Sequence, residues 1–111
     1  MHHRVFRREP VTFINVFEIG EDEIDTFITK WKERSRFTTS ADGFISAELF
    51  RSIDADTHFK LINVTKWAGR AHFEAATHAA EFRAELDDYQ TDDSCTWTPS
   101  RGFYHTAARF D

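Results

Sequence analysis

The chain has 111 residues, enough for one domain and one core, and it is 41% hydrophobic with twelve Phe and three Trp, which excludes a disordered polypeptide. Fourteen basic residues against nineteen acidic ones give a formal charge of -5, with no cationic stripe able to follow a phosphate backbone, so nucleic acid is not an expected partner. No apolar run reaches the length of a membrane span, and the first ten residues lack the apolar segment of a secretory signal; the expectation is a cytoplasmic protein with no membrane contact.

Residues 1–10 carry the basic cluster Arg4, Arg7 and Arg8 and read as a flexible N-terminal arm, followed by one domain over 11–111. Val11 to Ile19 alternates, with Val11, Phe13, Asn15, Phe17 and Ile19 on one face, and predicts the first strand. Gly20 closes it, and Glu21, Asp22 and Glu23 place negative charge where a helix N-terminus favours it. Ile24, Phe27, Ile28, Trp31 and Thr38 then follow at helical spacing. Ser40-Ala41-Asp42-Gly43 breaks that helix. Phe44 to Ile53 predicts a second strand with Ile45, Ala47 and Leu49 on one face. Asp54-Ala55-Asp56-Thr57 turns into a third strand from Phe59 to Trp67, closing a hairpin. A second helix is predicted from about Arg70 to Tyr89, with Ala75, Ala79, Phe82 and Leu86 along one side. Gln90 to Ser100 reads as an acidic loop, and Arg101 to Phe110 as the last strand.

This order is βαββαβ, the ferredoxin-like α+β arrangement: an antiparallel four-stranded sheet with two helices on one face. The expectation is that the helices leave uncovered the face bearing Phe13, Phe17, Leu61 and Trp67. A second copy would then cover it sheet to sheet, forming a dimeric α+β barrel with an interior for a small aromatic molecule.

Glycine-rich phosphate loops, zinc-binding histidine pairs and nucleophile elbows are absent from the sequence. His72 and His78 stand six apart, a spacing that does not share a helix face, and the lone Cys95 lacks a basic neighbour. Polarity in unexpected places is more informative. Asn15 interrupts Phe13 and Phe17, and Asn63 interrupts Leu61 and Trp67, although an amide is costly to bury without a partner. Either neighbouring backbone satisfies each amide or a ligand does. Arg83 and His72 fall within the broad apolar arc of the second helix, aimed at a ligand or snorkelling to the surface.

The segments Thr12-Phe13-Ile14-Asn15-Val16-Phe17-Glu18, Asp42-Gly43-Phe44-Ile45-Ser46-Ala47 and Ile62-Asn63-Val64-Thr65-Lys66-Trp67 together resemble the antibiotic biosynthesis monooxygenase family, over nearly the whole chain from Val11 to about Phe110. Asn63-x-x-x-Trp67, with Phe73 and Ala80-Glu81-Phe82-Arg83 beyond it, carries the most specific part of that likeness. The resemblance implies a cytoplasmic homodimer that oxidises an aromatic polyketide, anthrone-like substrate to a quinone with O2, in antibiotic or secondary-metabolite biosynthesis, without metal, flavin or other cofactor. By resemblance, Asn15 and Asn63 hydrogen-bond the substrate oxygens and Trp67 lines the catalytic site, its indole N–H assisting proton transfer. Phe13, Phe17, Phe50, Phe73, Arg83 and His72 are the candidate substrate-binding residues. Phe73 stands where one anthrone oxygenase carries a tyrosine, and Phe50 where many relatives carry a histidine, so this pocket is the more apolar. Haem-degrading relatives use a tryptophan and a histidine at the positions of Ala76 and Leu86, which disfavours that chemistry here. Two other readings use the same pocket: a polyketide cyclase or isomerase, and a non-catalytic small-molecule-binding module.

Overall fold

The computed structural model describes residues 9–79 and 98–111. The first strand, β1 (Val11–Glu18), leads through a single 3-10 turn at Glu21–Glu23 into helix α1 (Ile24–Thr39). Strands β2 (Phe44–Arg51) and β3 (Leu61–Trp67), helix α2 (Arg70–Thr77) and strand β4 (Thr98–Tyr104) follow. All strand pairs are antiparallel and the order across the sheet is β2-β3-β1-β4, so the expected ferredoxin-like α+β fold is present. Among the described residues no helix is long and apolar enough to cross a membrane.

Which face the helices cover is the main correction. Phe17 meets Phe27 of α1 edge-on at 4.6 Å, and Phe13 meets Phe73 of α2 at 4.7 Å. Leu61 is fully buried beside Ile24 and Phe27, and Trp67 is buried beside Ala76. Thus the face bearing Phe13, Phe17, Leu61 and Trp67, expected to lie open for a partner sheet, is the one the helices cover. The reason is amphipathicity: α1 and α2 bury their apolar stripes against the richest apolar face available, at roughly 1.5–3 kcal/mol per fully buried large side chain. The open face instead carries Ile14, Val16, Ile62 and Val64, β-branched residues that are half-buried here.

Further differences have local causes. A β-bulge between Phe44 and Ser46 leaves Ile45 without a partner, so Phe44 and Ala47 share the helix-covered face while Ile45 is exposed. The expected grouping of Ile45 with Ala47 and Leu49 therefore fails at its first member. Strands β2 and β3 are shorter than expected at the hairpin, although Ser52 N–H still donates to the Lys60 carbonyl at 2.9 Å. Helix α2 closes at Thr77: the Thr77 hydroxyl donates back to the Glu74 carbonyl at 3.2 Å, and Ala79 N–H bonds three residues back to Ala76 at 3.3 Å. The remainder of the helix expected to Tyr89 lies outside the described residues, as does the arm over residues 1–8. Strand β4 begins at Thr98 and ends at Tyr104 rather than Phe110, because its partner β1 begins at Val11, immediately after Pro10.

Gly43 has a reason of its own. Its φ of +86° is a conformation that side chains resist, and a Cβ there would fall 2.2 Å from His72 Cγ. The turn from α1 into β2 thus requires glycine twice over, for its backbone angle and for the imidazole packed on it.

Candidate functional site

The helix-covered face is divided in three along the strands. At one end Phe17, Ile19, Ile24, Phe27 and Leu61 form an aliphatic and aromatic cluster, with Ile28, Trp31 and Leu49 packed against it. At the other end Val11, Trp67 and Ala76 form a second cluster, joined by Phe44, Phe73 and Phe103. Asn15 and Asn63 lie between the two, directly opposite each other in the β1–β3 register. Two facing amides in the middle of a sheet are an expensive arrangement unless something uses them.

Asn63 is 7% exposed, and its Oδ1 accepts a hydrogen bond from Trp31 Nε1 at 3.1 Å. An indole N–H can only donate, so the atom facing it must be the amide oxygen, and the orientation of the whole amide follows. The Asn63 NH2 is thereby turned away from Trp31 and kept as a donor. Asn15 differs: its Oδ1 is buried and has no hydrogen-bond partner. One amide is oriented by a helix, and the other has a polar atom unsatisfied, a state costing about 1–3 kcal/mol until a partner arrives.

Trp67 is 2% exposed, edge-on to Phe44 and to Phe73, and its Nε1 donates to Thr65 Oγ1 at 3.2 Å. Its indole N–H is therefore held by Thr65, two residues away on the same strand, and the residue acts first as the floor of the second cluster. Phe13, Phe73 and Phe103 stack as a trio with centroid separations of 4.7, 5.2 and 5.0 Å, forming one wall beside the asparagines. Phe17 forms the opposite wall, from the first cluster.

Phe50 and His72, two of the expected lining residues, lie away from the asparagine pair. Phe50 pairs in register with Ile62, on the open face, and is 49% exposed; the bulge at Ile45 sets this phase for the rest of β2. His72 packs on Gly43, with its Nε2 3.6 Å from Asp42 Oδ2 and its Nδ1 buried without a partner. That position lies beyond the Trp67 end of β3, four residues or about 13 Å along the strand from Asn63. Arg83 lies outside the described residues.

Two residues not singled out from sequence join the site. Trp31 orients Asn63, and a signal for it existed, since helical spacing turns it inward and a buried indole needs an acceptor. Arg101 faces Asn15 across the β1–β4 register, and Phe103, two residues on, touches Phe13, which places Arg101 on the same helix-covered face. An open groove of about 280 Å³ runs between α1 and the edge strand β2, lined by Ile28, Trp31, Ala47, Leu49 and Leu61 together with Phe50 and the charged Lys32, Glu48 and Arg51. It reaches Trp31, the partner of Asn63, and Leu49, its neighbour in register. On the helix-covered face, no described strand position carries a carboxylate or an imidazole. The chemistry available there is hydrogen bonding by amides against aromatic walls, with a guanidinium at one side.

Solved structures resemble this chain in fold. A protein from Shewanella loihica PV-4, provisionally described as a monooxygenase, is 25% identical and superposes with a TM-score of 0.71, over 91% of this chain and 97% of its own. SnoaB, a cofactor-independent oxygenase from Streptomyces nogalater, is 20% identical with a TM-score of 0.72, over 92% of this chain and 96% of its own. No curated protein sequence matches. The sequence profile described as antibiotic biosynthesis monooxygenase matches residues 10–86. With that match over most of its length and the fold in agreement, the chain belongs to the antibiotic biosynthesis monooxygenase family.

Proposed function

We propose that the chain is a cofactor-independent monooxygenase that oxidises an anthrone-like aromatic polyketide to a quinone with O2, in the making of an antibiotic or other secondary metabolite. The observation that carries this reading is the facing pair Asn15 and Asn63, set between two apolar clusters, with the Asn63 NH2 kept as a donor by Trp31. The likeness in fold to SnoaB, a cofactor-independent oxygenase, supports the same reading.

The electrons come from the substrate. Loss of a proton from the reactive ring CH2 leaves an enolate, whose oxygen is held by the Asn63 NH2 as negative charge develops there. The enolate passes one electron to O2; the resulting radicals combine into a C–O bond, and the peroxide takes up a proton. Loss of water, with the remaining C–H hydrogen, then leaves the carbonyl. The balance is one CH2 and one O2 giving one C=O and one H2O. Amides are suited to this because they donate without titrating, while the Phe13, Phe73 and Phe103 wall orients the rings and excludes water. The proton lost from the ring CH2 is assigned to solvent or to a base carried by the substrate itself.

The same reading includes a homodimer, seated on the open face through Ile14, Val16, Ile62 and Val64. The pocket then lies within each protomer, between sheet and helices, rather than between two sheets.

Oxygen uptake by purified, chelator-treated protein with a model anthrone tests the oxygenase. Stoichiometric O2 consumption with quinone formation is expected. Substrate conversion without O2 uptake would mark a cyclase or isomerase, and binding without conversion a sequestering module.

A further inference from the structure

We propose that Arg101 anchors a carboxylate on the substrate, so that this pocket prefers aromatic acids to their neutral esters. The inference rests on the aromatic-pocket reading above and names the substrate class for it. Across the helix-covered face, Leu49, Asn63, Asn15 and Arg101 form one transverse row, each opposite the next in register on β2, β3, β1 and β4. The row therefore passes from an apolar residue through two amides to a cation. Arg101 and Asn63 stand two strand spacings apart, about 10 Å at their backbones, a span that fused aromatic rings bridge. A substrate whose reacting oxygen sits at Asn63 would thus carry its far end to the guanidinium.

Three of the other described arginines have carboxylate partners, and Arg36 lies over the Phe37 ring. Arg51 pairs with Asp25, Arg70 with Glu74 and lies over the Phe103 ring, and Arg109 approaches Asp111. Arg101 has no carboxylate within ion-pairing range among the described residues. A charge on an edge strand such as β4 also discourages strand addition, but it does so from either face. The position beside Asn15, on the ligand side of the sheet, is what edge protection leaves unexplained. Guanidinium and carboxylate match as a two-bond fork, and the ring system of an arriving ligand shields that pair from water.

The test is a fluorescence titration of the full chain, reading tryptophan quenching by anthraquinone carboxylate and by its methyl ester. The wild type is expected to bind the acid about tenfold more tightly than the ester, the order of one charge-assisted hydrogen-bonded pair. Arg101→Gln is expected to abolish that preference while leaving ester affinity within about twofold, and Arg101→Lys to restore part of it. The ester is the internal control that the variant pocket is intact. Equal binding of acid and ester by the wild type, or an undiminished preference in Arg101→Gln, overturns the assignment of Arg101. If neither compound binds, the aromatic-pocket reading falls, and the assignment with it.

Discussion

Trp31 on the first helix and Asn63 on the third strand are joined by a single hydrogen bond, Nε1 to Oδ1 at 3.1 Å, between residues 32 apart in the chain. That bond ties the packing of α1 to the orientation of the amide given the central role in the proposed chemistry. Its two effects, on stability and on the direction of the remaining donor, can be separated by substitution.

Replacing Trp31 with Phe keeps an aromatic body and removes the donor. Stability should fall by about 1–3 kcal/mol, since the Asn63 oxygen is left buried and unpaired. With the amide free to turn over, turnover should fall severalfold while substrate affinity changes little. A thermal melt and an initial-rate series read the two effects separately, and unchanged turnover per folded molecule would remove Trp31 from the site.

Asn63→Ala removes the proposed oxyanion donor and should lower turnover by roughly 10²-fold or more. It also strands the Trp31 N–H, so a stability loss is expected too. In the double variant Trp31→Phe, Asn63→Ala, part of that stability should return, because no buried donor is left alone. Turnover should not return. Recovery of both would mean that the amide is only a structural tie.

Gly43→Ala tests the turn into β2. With φ at +86° and the His72 ring where a Cβ would lie, the substitution should cost about 2–4 kcal/mol, read as a lower denaturation midpoint in urea. His72→Ala should recover little of it, since a Cβ at position 43 would also fall 2.6 Å from His72 Cβ.

Sedimentation equilibrium should find a dimer at micromolar concentration, and Val64→Asp, on the open face, should give a folded monomer. A wild-type monomer would refute the dimer. Dissociation by a change on the helix-covered face alone would place the interface elsewhere.

Alternation in β1 and β3 was legible because each strand is long enough to carry it, and Asn15, Asn63 and Trp67 were rightly grouped on one face. Which side of the sheet the helices take was not legible. Alternation separates two faces without ranking them, and both faces of β1 carry apolar residues. Phe50 was named from the resemblance and not from alternation; the one-residue bulge at Ile45, which no residue type announces, resets the period of two after Phe44 and sets Phe50 opposite Ile62 on the open face. Trp31 and Arg101 escaped notice because their significance depends on partners 32 and 86 positions away, contacts that exist only after the sheet has formed.

The division of the helix-covered face into two apolar clusters with a polar row between them has a further consequence. Each cluster draws on its own helix, Ile24 and Phe27 for one and Ala76 for the other, so each end of the sheet is secured independently of what lies in the middle. The row can then change its residues, and with them the molecule it accepts, without dismantling either end. A scaffold of this kind can diversify its chemistry while conserving its architecture.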